Sequence, residues 1–101
     1  MMSEPDFDAS CGLMRDLGFV LQDSKSTPEA FGSWYICAAV NGKSLRLVWD
    51  GRDGALIIQE PSLSGLDGDW SDRWIAGQRY SQKPKDLKAA LLSVLTERPN
   101  L

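Results

Sequence analysis

Histidine is absent from this chain, cysteine appears twice, and lysine and arginine nowhere form a block. The first absence removes the commonest general base and every Ser-His or Cys-His nucleophile arrangement. It also leaves a transition-metal site to carboxylates or to two cysteines far apart in sequence, which is not how zinc is ordinarily held. No metal and no cofactor is therefore expected. Cys11 and Cys37 are too few for a disulfide scaffold, and each lies among apolar neighbours. Such cysteines read as reduced, structural thiols, with a redox pair as the alternative.

No apolar run approaches the roughly 20 residues that span a bilayer. The opening MMSEPDFDAS carries acids where a secretory signal carries Lys or Arg, so the expectation is a cytoplasmic domain with no membrane contact. The net charge of −3 comes without a basic footprint, which argues against nucleic acid as a ligand. Residues 1–30 hold six acids against two bases, whereas 83–101 hold four bases against two acids. This balance fits a basic protein partner, although solubility alone also accounts for it.

What the chain does contain is an ordinary globular mixture, 43% hydrophobic and 25% charged. Its 101 residues read as one domain, 1–101. A chain of that size buries roughly 65% of its unfolded surface, enough for one core. PDFDASCGLMRDLGF places Phe7, Cys11 and Met14 at helical spacing, with Ser3 or Asp6 as N-cap and Gly18 as the stop. Phe19 to Gln22 reads as a short strand and DSKSTPEA as a polar loop.

The centre is the most legible part. SWYICAAV and SLRLVWD flank Asn41-Gly42, a two-residue hairpin signal that pairs Val40 with Lys43 and Trp34 with Trp49. One face then holds Trp34, Ile36, Ala38 and Val40 against Trp49, Leu47 and Leu45. A second hairpin through GRDG adds Leu56 and Ile58 to that same face, and Pro61 ends the ladder. Near the C-terminus Leu87, Ala90, Leu91, Val94 and Leu95 form a helical stripe between Pro84 and Pro99. The expected fold class is α+β: a four-stranded antiparallel sheet in the order α-β-β-β-β-α, with both helices on the Trp34/Trp49 face.

Two candidate surfaces follow. GLDGDWSDRW, residues 65–74, brings Asp67, Asp69 and Asp72 together with Trp70 and Trp74. As a calcium loop starting at Asp67 it lacks the glycine at position six and the glutamate at position twelve. As a glycosidase-like carboxylate pair it sits on a glycine-rich stretch without the rigid cleft such pairs use. Neither GRDG nor NGKS has the spacing of a phosphate cradle. A helical turn would put Trp70 and Trp74 on one side, ringed by the aspartates, as a contact surface. The structural alternative is that both tryptophans plug the core. The second surface is the outer sheet face, where Tyr35, Val48 and Ile57 stand beside Arg46 and Gln59. It is a partner site unless residues 61–80 fold over it.

The FGSWY strand entry and the LRLVWDGRDG hairpin, after an amphipathic first helix, resemble small acidic bacterial immunity proteins of polymorphic and contact-dependent toxin systems. The resemblance covers residues 13–59. It implies a non-enzymatic protein that neutralises a cognate toxin by direct binding, and it brings no catalytic residues. The partner-binding residues on this view are Trp70, Trp74, Asp67, Asp69 and Asp72, with Tyr35, Arg46 and Gln59 as the competing patch. A monomer or a homodimer is compatible with it. The alternatives are a chaperone for a secreted effector and a small carboxylate-based hydrolase.

Overall fold

The Asn41-Gly42 turn sets the sheet register in the computed structural model, which describes residues 6–27, 29, 31–61, 70–77 and 87–96. Both turn residues have positive φ, 51° and 78°, the backbone whose twist matches two antiparallel strands. It joins β2 (Ser33–Val40) to β3 (Lys43–Asp50), with Val40 opposite Lys43 and Trp34 opposite Trp49, as the sequence spacing requires. β4 (Ala55–Pro61) follows across GRDG, pairing Asp50 with Ala55 and Trp49 with Leu56. The Asp50 carboxylate accepts the backbone N–H groups of Arg52 and Asp53 at 3.0 and 3.2 Å, closing that turn.

The sheet has five strands rather than four. β1 (Val20–Thr27) and β5 (Trp70–Gly77) flank the central three in an antiparallel meander ordered β1-β2-β3-β4-β5. The fifth strand takes up the second half of GLDGDWSDRW, so the helical turn expected at Trp70 and Trp74 is an extended edge strand instead. Asp and Gly are depleted in strands, which is why the stretch reads as a turn. The first strand also runs past Gln22 to Thr27, through most of the segment read as a loop.

Each edge strand contains a bulge. The β1 register slips between Leu21 and Asp23, and the β5 register slips opposite the Ile58/Gln59 step. Arg73 is the extra residue in β5, so Trp74 faces Ile58 while Asp72 faces Gln59 and Trp70 faces Pro61. A bulge reverses the alternation of side chains along a strand. Trp74 therefore turns inward and Trp70 outward, although an unbroken strand would put i and i+4 on the same face.

Inward residues of the sheet, among them Ile36, Leu45, Leu47, Leu56, Ile58 and Trp74, form one buried cluster. Helix α1 (Phe7–Asp16) contributes Cys11 and Met14, and helix α2 (Leu87–Thr96) contributes Leu87 and Leu91. The Phe7 ring meets Trp34 edge-on, with centroids 5.6 Å apart and planes at 72°. Asp6 caps α1 by accepting the Asp8 N–H at 3.3 Å. At the other end the Phe19 N–H bonds the Met14 carbonyl and the Gly18 N–H bonds that of Arg15. This paired closure turns the chain so that Phe19 and Met14 are both buried.

Among the described residues no helix is long and apolar enough to cross a membrane. The cysteines are both free. Cys11 lies in the inner cluster, whereas Cys37 pairs across the outer face with Arg46. The sheet separates the two thiols, which removes the redox-pair alternative within one chain. Burial pushes both thiols above the ordinary cysteine range, disfavouring the reactive thiolate.

The two tryptophans of β5 should answer mutation differently. Trp74 is 9% exposed, so Trp74→Ala should cost about 3–5 kcal/mol in urea unfolding, the usual result of emptying a large core site. Trp70→Ala should cost no more than about 1 kcal/mol, the scale of an exposed cation–π contact. Equal losses would mean that the Arg73 bulge does not split the pair.

Candidate functional site

The outer face is assembled by the same register that buries the inner one. β2 supplies Ser33, Tyr35 and Cys37; β3 supplies Arg46 and Val48; β4 supplies Ile57 and Gln59. β5 adds Ile75 opposite Ile57 and Asp72 opposite Gln59, with Trp70 at the end of the ladder. β1 adds Asp23 and Lys25, brought outward by its own bulge. None of the described elements packs across this face.

Polar side chains on the face are tied into two short chains. Arg46 Nε donates to Gln59 Oε1 at 2.8 Å, and Gln59 Nε2 donates to Asp72 Oδ1 at 2.8 Å. The Arg46 guanidinium carbon lies 4.7 Å from the centre of the Trp70 ring, a cation–π contact. Three strands thus cooperate to hold one guanidinium in place. At the other end Tyr35 donates its phenolic proton to Asp23 Oδ2 at 3.1 Å, bridging β2 to β1. On β5, Arg73 pairs with Glu60 and so anchors the bulge to β4.

From Arg46 toward the Ser33 and Asp50 end of the face lies an open concavity of about 400 Å³, within the range of ligand pockets. Its lining includes Thr27, Ser33, Tyr35, Arg46, Val48, Asp50, Ile57 and Gln59. The mixture is an apolar floor, several hydroxyls and one cation. A second, more polar groove of about 690 Å³ runs between α1 and β1, along Phe7, Cys11, Arg15 and Gln22.

The rim is stiffened from below. Phe31 has a φ of 60°, a left-handed backbone uncommon for a bulky residue, and its side chain is 70% exposed. Its carbonyl oxygen lies 1.9 Å from where a Cβ on Gly51 would sit, so only glycine fits there. The Gly51 N–H donates to Ser33 Oγ at 3.0 Å, which joins the start of β2 to the β3–β4 turn.

Of the residues singled out from the sequence, Tyr35, Arg46, Gln59, Asp72 and Trp70 come together on this face. Trp74 does not: it is buried on the opposite side and serves the core. Asp67 and Asp69 lie outside the described residues. The two surfaces expected separately are thus partly one, because Trp70 reaches the Arg46 patch once its strand is added to the sheet. Residues 70–77 do not fold over the outer face but extend it sideways. Among the described residues no three His, Cys, Asp or Glu side chains gather as a metal site.

Asp23, Thr27, Ser33, Phe31 and Ile75 escape sequence reasoning. Asp23 and Thr27 lie in a segment rich in Ser, Lys and Asp that resembles a loop, and only the bulge at Gln22 turns them outward. Ile75 belongs to a strand whose alternation is hidden by Arg73. Phe31-Gly32 was visible only as a strand entry, and nothing in it signals positive φ on a phenylalanine.

No protein family, curated protein or solved structure matches this chain.

The Tyr35–Asp23 pair makes a pH prediction. The hydrogen bond to the Asp23 carboxylate raises the Tyr35 pKa above the ordinary tyrosine range, because ionisation would break that bond and set two anions side by side. The stabilisation is present below the unfolded-state value and disappears as pH rises through the raised one. Asp23→Asn should move the Tyr35 titration down toward the ordinary value in an NMR titration of the ring resonances. An unchanged midpoint would mean that the bond does not form in solution.

Proposed function

We propose that this chain is a non-enzymatic binding protein, an immunity-type inhibitor that neutralises a bacterial toxin by direct contact through its outer sheet face. The observation that carries this reading is the surface, covered by none of the described elements, made of Tyr35, Arg46 and Trp70 around Val48 and Ile57. Tyr, Trp and Arg are the side chains enriched at binding hot spots, and an open sheet face bearing apolar residues commonly marks a partner site. Here the polar members are held in place before any partner arrives, which lowers the entropy lost on binding.

The resemblance of residues 13–59 to immunity proteins supports the same reading. The net charge of −3 suits a basic toxin domain, since complementary charge speeds encounter and restricts partner choice. In this reading Asp72 acts indirectly, by bracing Gln59, while Tyr35, Arg46 and Trp70 make the contact. The inhibitor would act in the cytoplasm of the cell that produces the toxin, as a monomer or a homodimer.

The test is co-expression with the product of the adjacent upstream gene, where toxin and immunity genes are expected to be paired. Wild-type protein should restore growth and form a stable complex by light scattering. Tyr35→Ala combined with Trp70→Ala should weaken that complex about 30-fold or more, the scale of a single hot spot, while the melting temperature stays close to wild type. Full protection by the double variant would reject the outer face as the contact. A complex with a secretion-apparatus effector that is not toxic would instead favour a chaperone.

A further inference from the structure

We propose that the concavity beside Arg46 recognises a carboxylate on an acidic side chain of the protein partner, presented next to an apolar residue. The proposal rests on reading the outer face as a protein-contact surface, and it names the chemistry of one contact. Arg46 uses Nε on Gln59, and its guanidinium carbon lies over the Trp70 ring. No described residue accepts from its two terminal nitrogens. A guanidinium held at Nε and over an aromatic ring, with no described group on its two terminal nitrogens, presents the planar fork that carboxylates take in bidentate fashion.

The surroundings select among anions. Among the described residues Arg46 is the one cation lining the concavity, and Asp50 lines it too. Tyr35, at the same site, already donates its hydroxyl hydrogen bond to Asp23. A doubly charged phosphate would meet one cation, two nearby carboxylates and an acidic protein. A carboxylate needs only the one guanidinium. Val48 and Ile57 then provide an apolar floor for the residue beside it.

This local preference is compatible with a basic partner. The overall field governs approach, whereas one acidic group on a basic surface, matched to one fixed cation, sets the docking register. Any similar toxin lacking that acid would leave Arg46 desolvated and unpaired. That arrangement discriminates between relatives through a penalty as well as an attraction.

The experiment follows the Arg46 Nε–H signal and the backbone amides of Tyr35, Val48 and Ile57 by NMR. The probes are the blocked peptide Ac-Leu-Asp-Leu-NH2, its Asn counterpart, and free N-acetyl-leucine. The Asp peptide should shift this set at millimolar concentration, and the Asn peptide should not. Arg46→Gln should abolish the shifts, and Arg46→Lys should weaken them about tenfold because an ammonium lacks the fork. An unchanged amide spectrum for the inner-face residues checks that the variants fold.

Equal shifts with the Asn peptide overturn the proposal, as do shifts confined to the α1–β1 groove. Shifts with N-acetyl-leucine alone overturn it in favour of a small-molecule acid. Partner binding separates the two levels of the argument. If Arg46→Gln keeps full affinity while Tyr35→Ala with Trp70→Ala loses it, carboxylate recognition falls and the contact surface stands. If both variants bind like wild type, both readings fall.

Discussion

A two-residue turn at Asn41-Gly42 leaves the flanking strands one register, and side-chain parity across the central sheet follows from it. A slip of a single residue would exchange the faces, sending Trp34, Ile36, Leu45 and Leu47 into solvent. The turn is thus coupled to the hydrophobic effect: backbone geometry selects a pairing, and burial of one face makes that pairing far more stable than its neighbours. GRDG repeats the constraint on the other side of β3 and keeps the same parity. Trp34 and Trp49, opposite each other and both buried, mark where the inner face is bulkiest.

The edge strands obey a different logic. Among the described residues the five-stranded meander leaves β1 and β5 as edges, and an edge is a template for unwanted pairing with other chains. Both edges carry a bulge, and both are rich in polar side chains: Asp23, Ser24 and Lys25 on β1, Asp72 and Arg73 on β5. Bulges and charges interrupt a flat edge. On β5 the bulge has a second consequence, because it divides Trp70 from Trp74. One tryptophan adds to the core while the other braces Arg46 on the outer face.

The outer face is consequently a surface whose main groups are positioned by neighbours in three strands. Arg46 is gripped from β4 and β5, and Tyr35 is tied to β1. The underlying core, with Ile36, Leu47 and Ile58 essentially sealed from solvent, makes that platform stiff.

The chain's own residues determined the two central hairpins, the apolar face they share and the two helices, because turn chemistry and apolar periodicity act over neighbouring residues. Trp34 opposite Trp49 and Leu56 on the same face needed no tertiary information. The outer row of Tyr35, Val48 and Ile57 with Arg46 and Gln59 was equally readable, being the complement of the inner one. Tertiary structure decided the fifth strand, the length of the first and the fate of each β5 tryptophan. A bulge is defined by what a strand pairs with, so Arg73 carries no local mark of it. GLDGDWSDRW accordingly read as a single turn-like unit, and only pairing with β4 could place Trp74 in the core and Trp70 on the outer face.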